Sequence, residues 1–119
     1  MTDREFAERF AAEWIEAWNS HDLDRILAHY EDDFEMSSPK IVQLMGEASG
    51  KLRGKAAIGA YWRKGLQMLP DLHFELKQIL IGADSLTIYY ISADGRMAAE
   101  VFLFAQNGKV AQSFAHYEL

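Results

Sequence analysis

Apolar side chains recur at every fourth position near the start of the chain: Phe6, Phe10, Trp14 and Trp18, with Ala7, Ala11, Ile15 and Ala17 widening the stripe. That spacing puts them on one face of a helix of about five turns. Thr2 and Glu5 have the spacing of a capping box, which predicts a helix starting at Asp3. Asn19-Ser20-His21 interrupts the pattern. Asp22 is placed to cap a second, short helix with Leu23, Ile26, Leu27 and Tyr30 on its inner side. Asp32-Asp33 ends that helix, and 34–37 reads as a short strand. Pro39 pushes Ser38 out of the helical region. A third helix is predicted over 55–69, with Ala57, Ile58, Tyr61, Trp62, Leu66 and Leu69 inward, and Pro70 stops it.

Beyond Pro70 the period changes from helical to alternating. Strands are predicted over 72–81, 85–93, 97–106 and 110–117, with Asp94-Gly95 and Asn107-Gly108 as hairpin turns. Strands joined in sequence by tight turns pair antiparallel. The third of them is apolar on both faces: Ala98, Phe102 and Phe104 on one, Met97, Ala99, Val101 and Leu103 on the other. Glu100 belongs to the first set. A buried carboxylate needs a cation, a proton or a water-filled pocket. The remaining segment, 40–54, is irregular. Its apolar residues Ile41, Val42, Leu44 and Met45 ahead of Gly46, Gly50 and Gly54 suggest a flap packed over something. Gly46 to Leu52 is not a phosphate loop, because the glycine spacing is one residue short and Leu52 stands where Ser or Thr must be.

Helices first and a meander last imply an α+β domain spanning 1–119, with three helices on one face of a strongly curved, mostly antiparallel sheet. The outer sheet face would carry Met97, Val101 and Leu103, so a homodimer through that face is expected. The net charge of −6 argues against nucleic acid as a partner. There are no cysteines, which removes disulfides and thiolate chemistry and fits a cytoplasmic location. No apolar run approaches the roughly 20 residues that span a bilayer, and the charged N-terminus is unlike a signal peptide.

Four local marks, in order, carry a resemblance: Trp18-Asn19-Ser20-His21-Asp22-Leu23-Asp24, Tyr30-Glu31-Asp32-Asp33, Gly54-Lys55-Ala56-Ala57-Ile58 and Asn107-Gly108-Lys109-Val110. With the predicted element order, the chain resembles the NTF2-like superfamily of cone-shaped folds, which includes ketosteroid isomerases, SnoaL-type cyclases, scytalone dehydratase and limonene epoxide hydrolases. The resemblance covers nearly the whole chain and says little about chemistry. The steroid isomerases use a base carboxylate after the first strand, a Tyr on the first helix and a protonated acid on the central strand. Here Ser38 stands in place of the base, Trp14 in place of the Tyr, and Glu100 matches the acid. Steroid isomerisation by that route is therefore not expected, while an acid in an apolar cavity is.

The candidate chemistry follows. Glu100 is the first choice as acid–base or oxyanion donor, with a salt bridge to Arg53 or Arg96, or a place at the dimer interface, as the structural alternative. Tyr90, Ser38 and His116 are secondary catalytic candidates. His116 has the wrong parity and reaches the cavity only if the last strand shifts register. Ile88, Ser92, Ser113 and Tyr117 share the strand faces that the resemblance turns toward the cavity, and Trp14, Tyr30, Trp62 and Phe102 supply aromatic walls. Such a cavity suits a small apolar or aromatic, ring-shaped ligand. No metal is expected from the histidine spacing, and no cofactor is expected. An enzyme of cofactor-free proton transfer and a non-catalytic binding or dimerisation module both remain open.

Overall fold

A computed structural model of the chain describes residues 2–118, among which there are four helices and six strands. Helix α1 spans Arg4–Asn19. Its cap is Asp3, whose carboxylate accepts from the Phe6 amide at 2.8 Å. Thr2 is not the cap; its amide instead donates to the Ala83 carbonyl and ties the start of the chain to a distant turn. Helix α2 (Leu23–Leu27) starts as its spacing predicts, with the Asp22 side chain accepting from the Arg25 amide at 3.1 Å.

Strand β1 covers Tyr30–Ser37, twice the length expected. Tyr30 is its first residue rather than part of α2. An irregularity in register between Tyr30 and Glu35 leaves Asp32 and Asp33 exposed, so an acidic run that reads as a helix stop is carried inside a strand. The segment expected to be irregular contains helix α3 (Pro39–Met45) and strand β2 (Lys51–Arg53). The restriction that Pro39 places on Ser38 is what a helix cap requires. Ser38 is extended (φ −159°, ψ 137°), its hydroxyl accepts from the Lys40 amide, and Pro39 occupies the first helical position. Gly46 ends the helix in the left-handed region at φ 68°.

Helix α4 spans Lys55–Met68, followed by β3 (Glu75–Ile81), β4 (Ser85–Ile91), β5 (Met97–Phe104) and β6 (Val110–Tyr117). The curled sheet has the order β2-β1-β6-β5-β4-β3. The four last strands form the predicted antiparallel meander, and β1 joins β6 in parallel. The alternation in β5 holds: Ala98, Glu100 and Phe102 are buried on the concave face. The Phe102 ring packs edge-on against Phe10 and Trp14 of α1, with centroids 4.9 and 5.4 Å away. The convex face carries half-buried Met97, Val101 and Leu103, and Tyr89 is 42% exposed there. No helix among the described residues is long and apolar enough to cross a membrane.

Candidate functional site

Glu100 sits at the middle of β5, opposite Ile88 on β4 and Ala115 on β6. Both lateral neighbours are apolar, and the nearest polar side chains of the sheet, Tyr90 and Tyr117, stand diagonally, opposite Ala98. Glu100 is 3% exposed, and among the described residues no ion pair or hydrogen bond reaches it. Arg53 pairs with Glu35 at 3.5 Å, and Arg96 is exposed in the β4–β5 turn, so neither supplies a counter-ion. Burial pushes the Glu100 carboxyl up from 4.5 to about 8, and the positive charge of Lys40 offsets this only in part. At neutral pH Glu100 is therefore mainly a neutral O–H donor.

Glu100 faces a cavity of about 90 Å³ between the concave sheet and the helices. Trp14 and Trp18 of α1, Tyr61 and Trp62 of α4, Phe74 and Tyr90 form its aromatic walls. Lys40 and Leu44 of α3 close one side, so the glycine-flanked segment does pack over the cavity, as a short helix. An apolar cavity of about 150 Å³ takes benzene. At about 90 Å³ this one encloses less than a whole ring, and the rest of a larger ligand would extend out of its opening.

The tyrosines are neutral too. Burial, and then the proximity of Glu100, raises Tyr90 and Tyr117 well above the usual phenol range. Tyr61 is pushed up to about 12 by burial, although its hydrogen bond with Ser38 opposes the rise. Tyr30 lies deeper, behind the wall, with its oxygen accepting from the Trp14 indole N–H at 3.0 Å. The Trp14 indole N–H is thus spent on orienting a tyrosine. One carboxylic acid and several phenols converge on a mostly apolar cavity, an arrangement suited to holding a developing oxyanion.

Of the residues singled out from sequence, Glu100, Tyr90, Trp14, Trp62, Ser92 and Tyr117 line the cavity. The Ser92 hydroxyl is already engaged with Asp94 at 2.7 Å and with the Arg96 carbonyl at 3.0 Å. Ile88, Phe102 and Ser113 are buried in the core beside the cavity and do not line it. Ser38 also stands outside, because its hydroxyl caps α3 and accepts from Tyr61 at 3.4 Å. His116 is not brought to the cavity. The register of its strand shifts only at the far end, between Leu103 and Phe104; around His116 it is regular, with Ala99 opposite, and the imidazole is exposed on the convex face. No three His, Asp or Glu side chains among the described residues are placed to hold a metal ion. Sequence reasoning overlooked Lys40 and Trp18 as site residues. Trp18 was visible in the helical stripe, whereas Lys40 depends on a helix that the glycine-rich context concealed.

A SnoaL-like domain model matches residues 11–113. The chain belongs to the SnoaL-like family. A SnoaL-like protein of unknown function from Burkholderia thailandensis is 56% identical, covers 98% of each chain and superposes with a TM-score of 0.96. An NTF2-like protein of unknown function from Burkholderia xenovorans is 19% identical over 96% of this chain and 84% of its own, with a TM-score of 0.74. SalBIII, an epoxide hydrolase/cyclase-like enzyme with a role in pyran ring formation in the polyether salinomycin, is 17% identical over 100% of this chain and 95% of its own (TM-score 0.75). The last two share the fold alone with this SnoaL-like protein. No curated protein matches the sequence. Among the structural neighbours are proteins described as NTF2-like and as a ketosteroid isomerase, and with these the chain shares the fold that the local marks suggest.

Proposed function

We propose that this SnoaL-like protein catalyses a cofactor-free proton transfer on a small molecule, with Glu100 as general acid or oxyanion donor and Tyr90 as a second donor. The observation that supports the reading is an unpartnered, buried carboxyl facing a cavity lined by neutral phenols. Isomerisation, dehydration, cyclisation and epoxide opening all need such a donor at a developing oxygen anion. The test is deuterium uptake from heavy water into a panel of small ketones and acids, followed by NMR. The wild-type protein is expected to accelerate uptake at carbon next to a carbonyl, and Glu100→Gln to lower the rate by about 100-fold. A donor role predicts activity falling as pH rises through about 8, whereas a base role predicts the reverse.

A second reading, a non-catalytic binding module, is favoured by one observation. Ser38, in the place of the superfamily base, is committed to capping α3 and to Tyr61. Uptake that is absent, or equal in Glu100→Gln, would move this reading ahead.

A further inference from the structure

The lining of the cavity contains two side chains, apart from the tyrosines, that carry charge in water: Glu100 and Lys40. They form no ion pair with each other, although the charge of Lys40 acts on the buried Glu100 carboxyl. Lys40 is half-buried and stands where the cavity meets solvent. Its ammonium lies 4.2 Å from the centre of the Tyr117 ring, another part of the wall. A cation over an aromatic face is held by the ring quadrupole, and an ammonium there turns part of its N–H donors to the ring and keeps the others for a ligand. The competing anion is Asp94, which the Lys40 charge helps to keep ionised, but its Oδ1 accepts from the Ser92 hydroxyl and the Arg96 amide and forms no salt bridge with Lys40. The cavity therefore presents a positioned positive charge at its rim and a neutral acid inside, in a chain whose net charge is −6.

Volume adds a second constraint. About 90 Å³ holds only the reacting end of a ligand, and the remainder must lie across the rim, where Leu44 and the partly exposed Leu69 offer apolar surface.

We infer that the ligand is a small monoacid: its carboxylate, or an equivalent anionic oxygen, bonds the Lys40 ammonium at the rim, and a buried end of few non-hydrogen atoms reaches Glu100 and Tyr90. The inference rests on the reading that this cavity is the functional site and makes Lys40 its specificity-determining residue. The anion is bound beside a cation partly shielded from water, where charge-assisted bonds are stronger than neutral ones.

The test uses two isosteric pairs, butyrate with butyramide and benzoate with benzamide, titrated into the protein near pH 6.5 and followed by NMR or calorimetry. The wild type is expected to bind at least one acid about tenfold more tightly than its amide. Lys40→Met should bring that ratio close to one by weakening the acid alone, and Lys40→Arg should keep most of it. Unchanged thermal melting of both variants would show that the fold is intact. Equal affinity for acid and amide in the wild type overturns the inference, as does a preference that survives in Lys40→Met. Failure of both acids to bind at about 10 mM, a concentration that detects millimolar affinity, also overturns it. Glu100→Gln separates the two proposals. Acid preference that depends on Lys40 in a protein without Glu100-dependent exchange would sink only the catalytic reading. Glu100-dependent exchange on neutral ketones without acid preference would sink only this one.

Discussion

Replacing Glu100 by Gln removes one titration and almost no volume. In the folded protein the carboxyl titrates at about 8, and in the unfolded chain it returns to 4.5. Below 4.5 both states hold the proton, so stability carries no ionisation cost. As the pH rises, the unfolded state ionises while the folded state keeps its proton, and wild-type stability falls by about 1.4 kcal/mol per pH unit. The fall ends once the folded carboxyl itself ionises, above about 8. Its total is roughly 5 kcal/mol, of which roughly 3 is reached by neutral pH. The Gln variant cannot ionise and escapes this loss. The remaining titrating groups are common to both proteins and cancel in the difference between them, apart from the tyrosines that share the field of Glu100. Urea denaturation of both proteins at intervals from about pH 4.5 to about pH 9 measures that difference. The variant should gain steadily on the wild type up to about 8 and then level off. A difference that stays flat across the range would mean that Glu100 is hydrated or paired, and the argument from its burial would collapse with it.

Lys40→Met should move the Glu100 titration still higher, since the ammonium is the group that opposes burial there; carboxyl-carbon NMR reads this directly, and an unmoved midpoint would place Lys40 too far away to hold a ligand against it. Asn19 grips both backbone groups of Phe74, donating to its carbonyl at 3.0 Å and accepting from its amide at 2.7 Å. Asn19→Ala should cost roughly 1–3 kcal/mol in urea denaturation, because one cavity wall loses its tie to α1; an unchanged midpoint would show that water replaces the amide. For the convex sheet face we propose a homodimer seam around Val101, with Tyr89 close by. Sedimentation should find a dimer for the wild type and monomer or insoluble protein for Val101→Asp, and a well-behaved dimer in the variant would rule that face out.

The order and kind of the longer elements were legible in the chain. The four-residue period of Phe6, Phe10, Trp14 and Trp18 specified α1, and the hairpin turns at Asp94-Gly95 and Asn107-Gly108 specified the β4–β5–β6 meander. These are local signals, so they survive without tertiary context. Parity within β5 even turned Glu100 inward, because an element with a period of two allows only two faces. Helix α3 was hidden because Gly46, Gly50 and Gly54 give 40–54 an irregular look, although the restriction that Pro39 places on Ser38 is what caps a helix. The extent of β1 was hidden because its acidic residues bulge outward.

By itself, then, the sequence determined that one carboxylate would lie among apolar side chains on the inner face of a curled sheet. Only the tertiary structure decided what surrounds it. Lys40, Tyr61 and Tyr117 come from three separate elements, and they meet Glu100 because β1 pairs in parallel with β6 and α3 folds over the opening. Whether a buried acid is paired, solvated or protonated depends on those long-range neighbours, since burial and nearby charge set its proton affinity. Local pattern brings Glu100 inside; the packing of distant segments keeps it neutral and leaves Lys40 free beside it.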